Sequence, residues 1–221
     1  RCSYVFARTE ANGGSGTSAP ATADGVFVGI LASVARAFGS EDLTARTVVI
    51  QGVGAVGAVL ARQLRDAGAR LVLADVDEIR AKELAAEVGA DVVSADEAIE
   101  TECDVLSPCA IGGVLSAETI PRLRCAIVAG AANNQLSEPE DAERLAERGI
   151  LYAPDYVVNA GGIIHLAALE MLGEDHARRD ERIAGIAGTL AEVYRIADAE
   201  GISTERAAER MAQMRLEEGR R

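Results

Sequence analysis

Hydrophobic positions along this chain change period repeatedly, and each change marks an element. A continuous β-branched run begins near Thr47 and ends at Gly52, the mark of a strand buried on both faces. Helical spacing then runs over Ala55–Ala67, and a second apolar run covers Arg70–Ala74. The same alternation predicts a helix over Glu78–Val88, a short strand at Ala90–Val93 and a strand over Cys103–Leu106 closing at Ser107-Pro108. It continues with a strand over Cys125–Ala129 closing at Gly130, a helix over Glu138–Arg148 and a short strand at Ile150–Ala153. Strands alternating with helices of these lengths predict an α/β fold with a doubly wound parallel sheet. The carboxyl ends of its strands should line one ligand crevice. Ahead of the sheet, Glu10–Pro20 with Gly13-Gly-Ser-Gly16 reads as a loop. Thr22 is placed to cap an apolar helix over Ala23–Phe38. From Asn159 onward the strand pattern stops. Gly161-Gly162 leads an apolar helix to about Leu172, and an amphipathic helix follows over Asp180–Glu200. Gly201 ends it, and Ser203 caps a last helix through Met214.

Between the first two runs stands Gly52-x-Gly54-x-x-Gly57. In a dinucleotide-binding βαβ unit the first glycine permits the tight turn and the second admits a pyrophosphate to the backbone. The third lets helix and strand pack closely, and the helix start receives the phosphates. Asp75 closes the second run 18 residues beyond Gly57, near the spacing of a carboxylate that binds an adenosine ribose. A glycine-rich turn beside a surface aspartate is the plainer alternative, but it leaves the order of strand, glycines, helix, strand and acid unexplained. The sheet is therefore read as Rossmann-type, with C-terminal helices. Asp75 favours NAD over NADP, because a carboxylate accepts from a free 2′-hydroxyl and repels a 2′-phosphate.

Composition narrows the classes. A net charge of −13 argues against nucleic acid, which needs clustered Lys and Arg. The apolar stretches read as too short for a membrane span, and no signal peptide is expected ahead of them. Cys2, Cys103, Cys109 and Cys125 form no CxxC pair and no metal-binding spacing, so free thiols in a cytoplasmic protein are expected. Lys82 is the single lysine, so chemistry that needs another must find it elsewhere.

Three polar, small-residue segments follow strands, where a backbone can approach a ligand: Ser107–Gly113, Ala129–Gln135 and Tyr152–Gly162. The amides of Asn133 and Asn159 suit a nicotinamide carboxamide or a small carboxylate. Both are also ordinary turn residues, and position alone leaves the two roles open. Cys109 has no histidine near it in sequence and reads as a small buried residue against the cofactor. His165, in an apolar helix, reads as a core or pocket-wall histidine.

Taken in order, these motifs resemble the NAD-binding half of the Glu/Leu/Phe/Val amino-acid dehydrogenases. They are Gly13-Gly-Ser-Gly16, Thr22 with Gly25-Val-Phe27, Gln51–Gly57, Pro108-Cys-Ala-Ile-Gly-Gly113, Ala129-Gly-Ala-Ala-Asn-Asn134 and Tyr152–Gly162. The resemblance covers nearly the whole chain, through the tail Ile196–Arg210, and points to the apolar-amino-acid branch. Gly162-Ile-Ile-His165-Leu, without the Asp-Glu of leucine and valine dehydrogenases, is more similar to phenylalanine dehydrogenase. Ser18–Thr22 and Val26–Ile30 are more similar to valine dehydrogenases. Phenylalanine is favoured among apolar L-amino acids.

The resemblance implies that Gly52, Val53, Gly54, Ala55, Val56 and Gly57 hold the pyrophosphate and Asp75 the adenosine ribose, with Val76 and Arg80 flanking the adenosine. Cys109, Ala110, Ala131, Ala132 and Asn133 would line the nicotinamide ribose. Asn133 and Asn159 would reach the nicotinamide or the amino acid, with Thr22 at the substrate end. The implied reaction is reversible oxidative deamination of the amino acid to its 2-oxo acid, ammonia and NADH. Its catalytic lysines and aspartate belong to an N-terminal domain that no segment here matches. Residues 1–21 are thus expected to be a linker from that domain, 22–176 the dinucleotide-binding domain and 177–221 helices packed on it. No catalytic residue is expected in this chain, and the whole protein is expected to be a homo-oligomer. A free-standing NAD(H)-binding module is the alternative of another class.

Overall fold

The computed structural model describes residues 5–219, so Cys2 lies outside the described residues. Six strands form one parallel sheet: β1 (Thr47–Gln51), β2 (Arg70–Ala74), β3 (Asp91–Val92), β4 (Val105–Pro108), β5 (Ile127–Val128) and β6 (Leu151–Tyr152). Their spatial order is β3-β2-β1-β4-β5-β6, the Rossmann order, which reverses direction at β1. Thr47 pairs with Arg70 on one side of β1, and Val48 with Val105 on the other. The crevice outside this reversal is where such sheets bind ligands.

Alternate residues of the strands feed two apolar layers, as a period of two requires. Val48, Ile50, Leu71, Leu73, Val105 and Ile127 face one cluster. Val49, Leu106 and Val128 face the other, with Ile120, Leu123 and Leu145. The first layer is covered by α1 (Ala19–Phe38), α2 (Ala55–Asp66), α3 (Glu78–Val88) and α7 (His176–Glu200); α4 (Asp141–Glu147) lies over the second. Two short helices, α5 (Asp155–Val158) and α6 (Gly161–Leu166), follow β6, and α8 (Thr204–Glu218) closes the chain.

Several boundaries differ from the sequence reading. Thr22 does not cap α1: the helix starts at Ala19 with Pro20 in its first turn, and Thr22 Oγ1 donates back to Ser18 O at 3.0 Å. The extra turn makes α1 20 residues long with a mean hydropathy of 1.4, enough by length and composition to cross a membrane. Here it is a core helix, its Val26, Ile30 and Val34 fully buried against α2 and α7. β4 runs over Val105–Pro108 rather than Cys103–Leu106, and the apolar helix after Gly162 passes into a π-helical stretch at Ala167–Met171. α7 begins at His176 rather than Asp180, because Asp175 accepts from Arg178 N at 2.8 Å and caps it.

Candidate functional site

The carboxyl ends of β1, β2 and β4 meet at the glycine turn. Gly52 has φ +99°, and a methyl there would lie 2.7 Å from the Ala110 methyl carbon, so the turn leaves no room for a side chain. A methyl on Gly57 would stand 2.0 Å from Gly52 O, which brings α2 hard against β1. Gly54 differs: its φ is −71°, and a methyl there would meet nothing within 4 Å. It opens on free space at the N-terminus of α2, where no side chain caps the first-turn amides. Open backbone, uncapped amides and the positive helix end together make an anion cradle.

Asp75 follows β2 and is nearly buried. Its Oδ2 accepts from Val53 N at 2.8 Å and its Oδ1 from Asp77 N at 2.9 Å, with Arg80 Nη1 at 3.9 Å from Oδ2. The carboxylate therefore ties the glycine turn to the next strand, a role the sequence reading did not foresee. Each oxygen keeps lone-pair capacity for a further donor. Val76, 91% exposed, forms an apolar shelf beside it, and Arg80 is turned to Asp77 at 3.0 Å.

Cys109 follows β4. Its N–H donates to Gln51 O at 2.7 Å and its sulfur lies 3.5 Å from Ser107 Oγ. Burial pushes the thiol up, as befits an uncharged floor residue rather than a nucleophile. Ala110 packs on Gly52. The next segment runs beside the loop after β5, Gly113 N–H donating to Asn134 O at 2.7 Å and Leu115 N–H to Gln135 O at 3.0 Å.

In that second loop Ala132 N–H donates to Pro108 O at 2.9 Å, which brings Ala131 and Ala132 beside the end of β4. Asn133 meets Asn159 directly: Asn159 Nδ2 donates to Asn133 Oδ1 at 2.8 Å and to Ala131 O at 3.3 Å. Two asparagines 26 residues apart thus form one amide pair at the crevice. Asn133 Nδ2 and Asn159 Oδ1 have no partner among the described residues. Gln135, fully buried, was missed in the sequence. Its Nε2 donates to Gly130 O and Ala132 O at 2.9 and 3.0 Å, and its N–H to Asp155 Oδ2 at 2.8 Å. It pins the asparagine loop to α5.

Thr22 lies against Gly162, where a methyl would stand 2.5 Å from its hydroxyl oxygen. The described contacts do not join it to the asparagine pair. His165 is buried, with Nε2 3.3 Å from Ser15 O and Nδ1 3.5 Å from Arg179 Nη1. Glu170 also accepts from Ser15 N and Oγ, at 2.8 and 2.6 Å, so both hold the Gly13–Gly16 loop. Lys82 projects from α3 into solvent, paired with Glu78 at 2.8 Å.

The sequence profile of the family Glutamate/Leucine/Phenylalanine/Valine dehydrogenase matches residues 13–78 and 74–218. A leucine dehydrogenase of Thermoactinomyces intermedius is 42% identical over 214 residues, 97% of this chain and 58% of that protein. An L-tryptophan dehydrogenase of Nostoc punctiforme is 42% identical over 219 residues, 99% of this chain and 61% of that protein. A phenylalanine dehydrogenase of Bacillus thermotolerans is 41% identical over 212 residues, 94% of this chain and 55% of that protein. The crystal structure of L-tryptophan dehydrogenase from Nostoc punctiforme superposes with a TM-score of 0.90, covering 93% of this chain and 63% of that one. These identities do not favour phenylalanine over leucine or tryptophan, and His165, on which that preference leaned, is taken up by Ser15 and Arg179. The chain spans less than two thirds of the length of each relative. From Gly13 to the last helix, it belongs to the Glutamate/Leucine/Phenylalanine/Valine dehydrogenase family.

Proposed function

We propose that this chain is the cofactor-binding part of an NAD-dependent dehydrogenase that oxidatively deaminates a bulky apolar L-amino acid. The observation that carries the reading is the cradle at Gly54, open and uncapped, with Asp75 on one side and the Asn133–Asn159 pair on the other. The α2 amides and the Gly52–Gly57 backbone would hold the pyrophosphate, and Asp75 the adenosine ribose. Cys109, Ala110, Ala131 and Ala132 supply a small, uncharged wall for the nicotinamide ribose. The free amide groups of Asn133 and Asn159 would orient the nicotinamide carboxamide or the substrate carboxylate. When bound, the nicotinamide supplies the acceptor for the hydride from the amino acid α-carbon. A carboxylate at the ribose position supports NAD over NADP.

Proton transfer needs a base beside the α-amino group. The single lysine, Lys82, is solvated on α3 and paired with Glu78. As the family resemblance implies, the base and the substrate-carboxylate anchor would come from an additional N-terminal domain, within the length by which the relatives exceed this chain. The whole protein is proposed to be a cytoplasmic homo-oligomer.

NADH titration of the 221-residue chain, followed by fluorescence, tests the reading. Saturable binding is expected, with no NAD reduction on adding leucine, phenylalanine or tryptophan. Failure to bind would remove the cofactor role. Turnover by this chain alone would remove the division of labour between two domains.

A further inference from the structure

At the opposite end of the sheet from the crevice, two cysteines stand side by side. Cys103 precedes β4 and Cys125 precedes β5, and these strands pair with a constant offset, Val105 opposite Ile127 and Leu106 opposite Val128. The same offset, carried back two residues, sets Cys103 opposite Cys125. Backbone bonds hold that register: Cys103 N–H donates to Arg124 O at 3.1 Å, and Ala126 N–H to Asp104 O at 3.2 Å. Neighbouring strands lie about 4.8 Å apart, inside the roughly 4.4–6.8 Å between Cα atoms that a disulfide spans. Residues in register share a face, and both thiols pack on the cluster of Leu106, Val128 and Leu123. Both are free and partly exposed.

The two sulfurs are not equivalent. The neighbouring Cys103 thiol draws that of Cys125 below the usual thiol value, against the opposing effect of burial. Arg148, held by the carbonyls of Ile120 and Leu123, adds its charge in the same direction. Cys103 is pushed well up by the same contact and by burial. Arg148, bonded to Leu123 O two residues before Cys125, sets a guanidinium on the Cys125 side, so Cys125 is the attacking sulfur and its register partner Cys103 the resolving one.

We propose that Cys103 and Cys125 form a thiol–disulfide modification site that takes a low-molecular-weight disulfide such as oxidised glutathione. Cys125 gives its proton to water, and its thiolate attacks one sulfur of the disulfide. That S–S bond breaks, a mixed disulfide forms on Cys125, and the departing thiolate takes up a proton. Cys103 then loses its proton to water and attacks the Cys125 sulfur, which expels the second thiolate to be protonated in turn. Two protein thiols are oxidised by two electrons, and one disulfide becomes two thiols. The new bond staples β4 to β5 at the end remote from the glycine turn. Cys109, at the other end of β4, takes no part.

Intact mass of the chain after incubation with oxidised glutathione tests this, with peptide mapping by two proteases so that Cys103 and Cys109 fall on separate fragments. A loss of about 2 Da is expected, with a Cys103–Cys125 cross-linked peptide that dithiothreitol releases. Cys103→Ser should stop at one glutathione on Cys125, and Cys109→Ser should still form the bridge. An unchanged wild-type mass, a bridge through Cys2 or Cys109, or a wild-type mixed disulfide that never resolves would overturn the proposal. The decisive readings use the wild-type chain, so a variant that fails to fold does not remove the test.

Discussion

Asp75 holds two backbone amides, Val53 N and Asp77 N, and still has lone pairs to offer a ribose. Hydrogen bonds to charged groups contribute about 1.5–3 kcal/mol, and tenfold in affinity is about 1.4 kcal/mol. Asp75→Ser should therefore weaken NADH binding at least tenfold and lower Tm, while NADPH loses less, so the NADH-to-NADPH preference shrinks. Paired titrations with a thermal melt separate the two roles. An unchanged preference alongside a lower Tm would leave Asp75 as a turn anchor only. The place of Asp75 at the end of β2 was legible because its spacing from the glycines is local, whereas its grip on the glycine turn was not. Gln135 was not: it gains meaning only when the loop after β5 folds against Asp155 on α5, and nothing in Asn-Asn-Gln announces that. The same holds for the asparagine pair, two plausible turn residues until the fold joins them across 26 positions.

Among elements, β1, the glycine turn, α2 and β2 were legible nearly residue for residue, because each is a short-range pattern bounded by its own stop signals. The second and third glycines of that unit now part company. Gly57→Ala drives a methyl to 2.0 Å from Gly52 O, so α2 must shift off β1, at a cost of about 1–3 kcal/mol. Gly54→Ala meets nothing and sits at an ordinary φ. It should melt within a few degrees of the parent yet lose NADH affinity, since its methyl occupies the cradle. Equal losses of Tm in both variants would contradict this account. The edges read less well. Cys103 and Cys125 seemed to open strands, but the ladder begins two residues later, and α1 and α7 started early because Pro20 and Asp175 were passed over. Where α8 meets α5, Glu205 is pushed up to about 7, first by burial and then by the charge of Asp155, with Glu209 and Glu143 adding and Tyr156 opposing. Below its ordinary value the acid is neutral folded or unfolded. Above about 7 it is ionised in both, and the folded state bears the penalty. Its contribution to stability thus falls as pH rises from about 4.5 to about 7. Glu205→Gln should raise Tm at pH 8 and not at pH 4, by scanning calorimetry at both. A gain of the same size at both pH values would mean the charge is not the cause.

For the molecule as a whole, the decisive packing is between parts far apart in the chain. The doubly wound parallel sheet followed from the alternation of strands and helices, but the burial of α1 did not. Its cover is α7, joined by the Ser33–Tyr194 hydroxyl contact at 2.7 Å and the Arg36–Asp198 pair at 2.7 Å, 161 and 162 residues apart. Deleting residues 176 onward should therefore strip the α7 side of α1 of its cover and expose apolar surface beside the Val26–Ile30–Val34 stripe. Strong dye binding and oligomerisation on size exclusion are expected, and a monodisperse product would refute the assignment of α7 as its cover. The order of synthesis gives this arrangement a further consequence. A ribosome adds about 5–20 residues per second, so α1 emerges on the order of ten seconds before α7. For that interval the nascent chain displays a helix with the length and apolarity of a membrane segment, and it must be shielded by chaperones or by its own unfinished core.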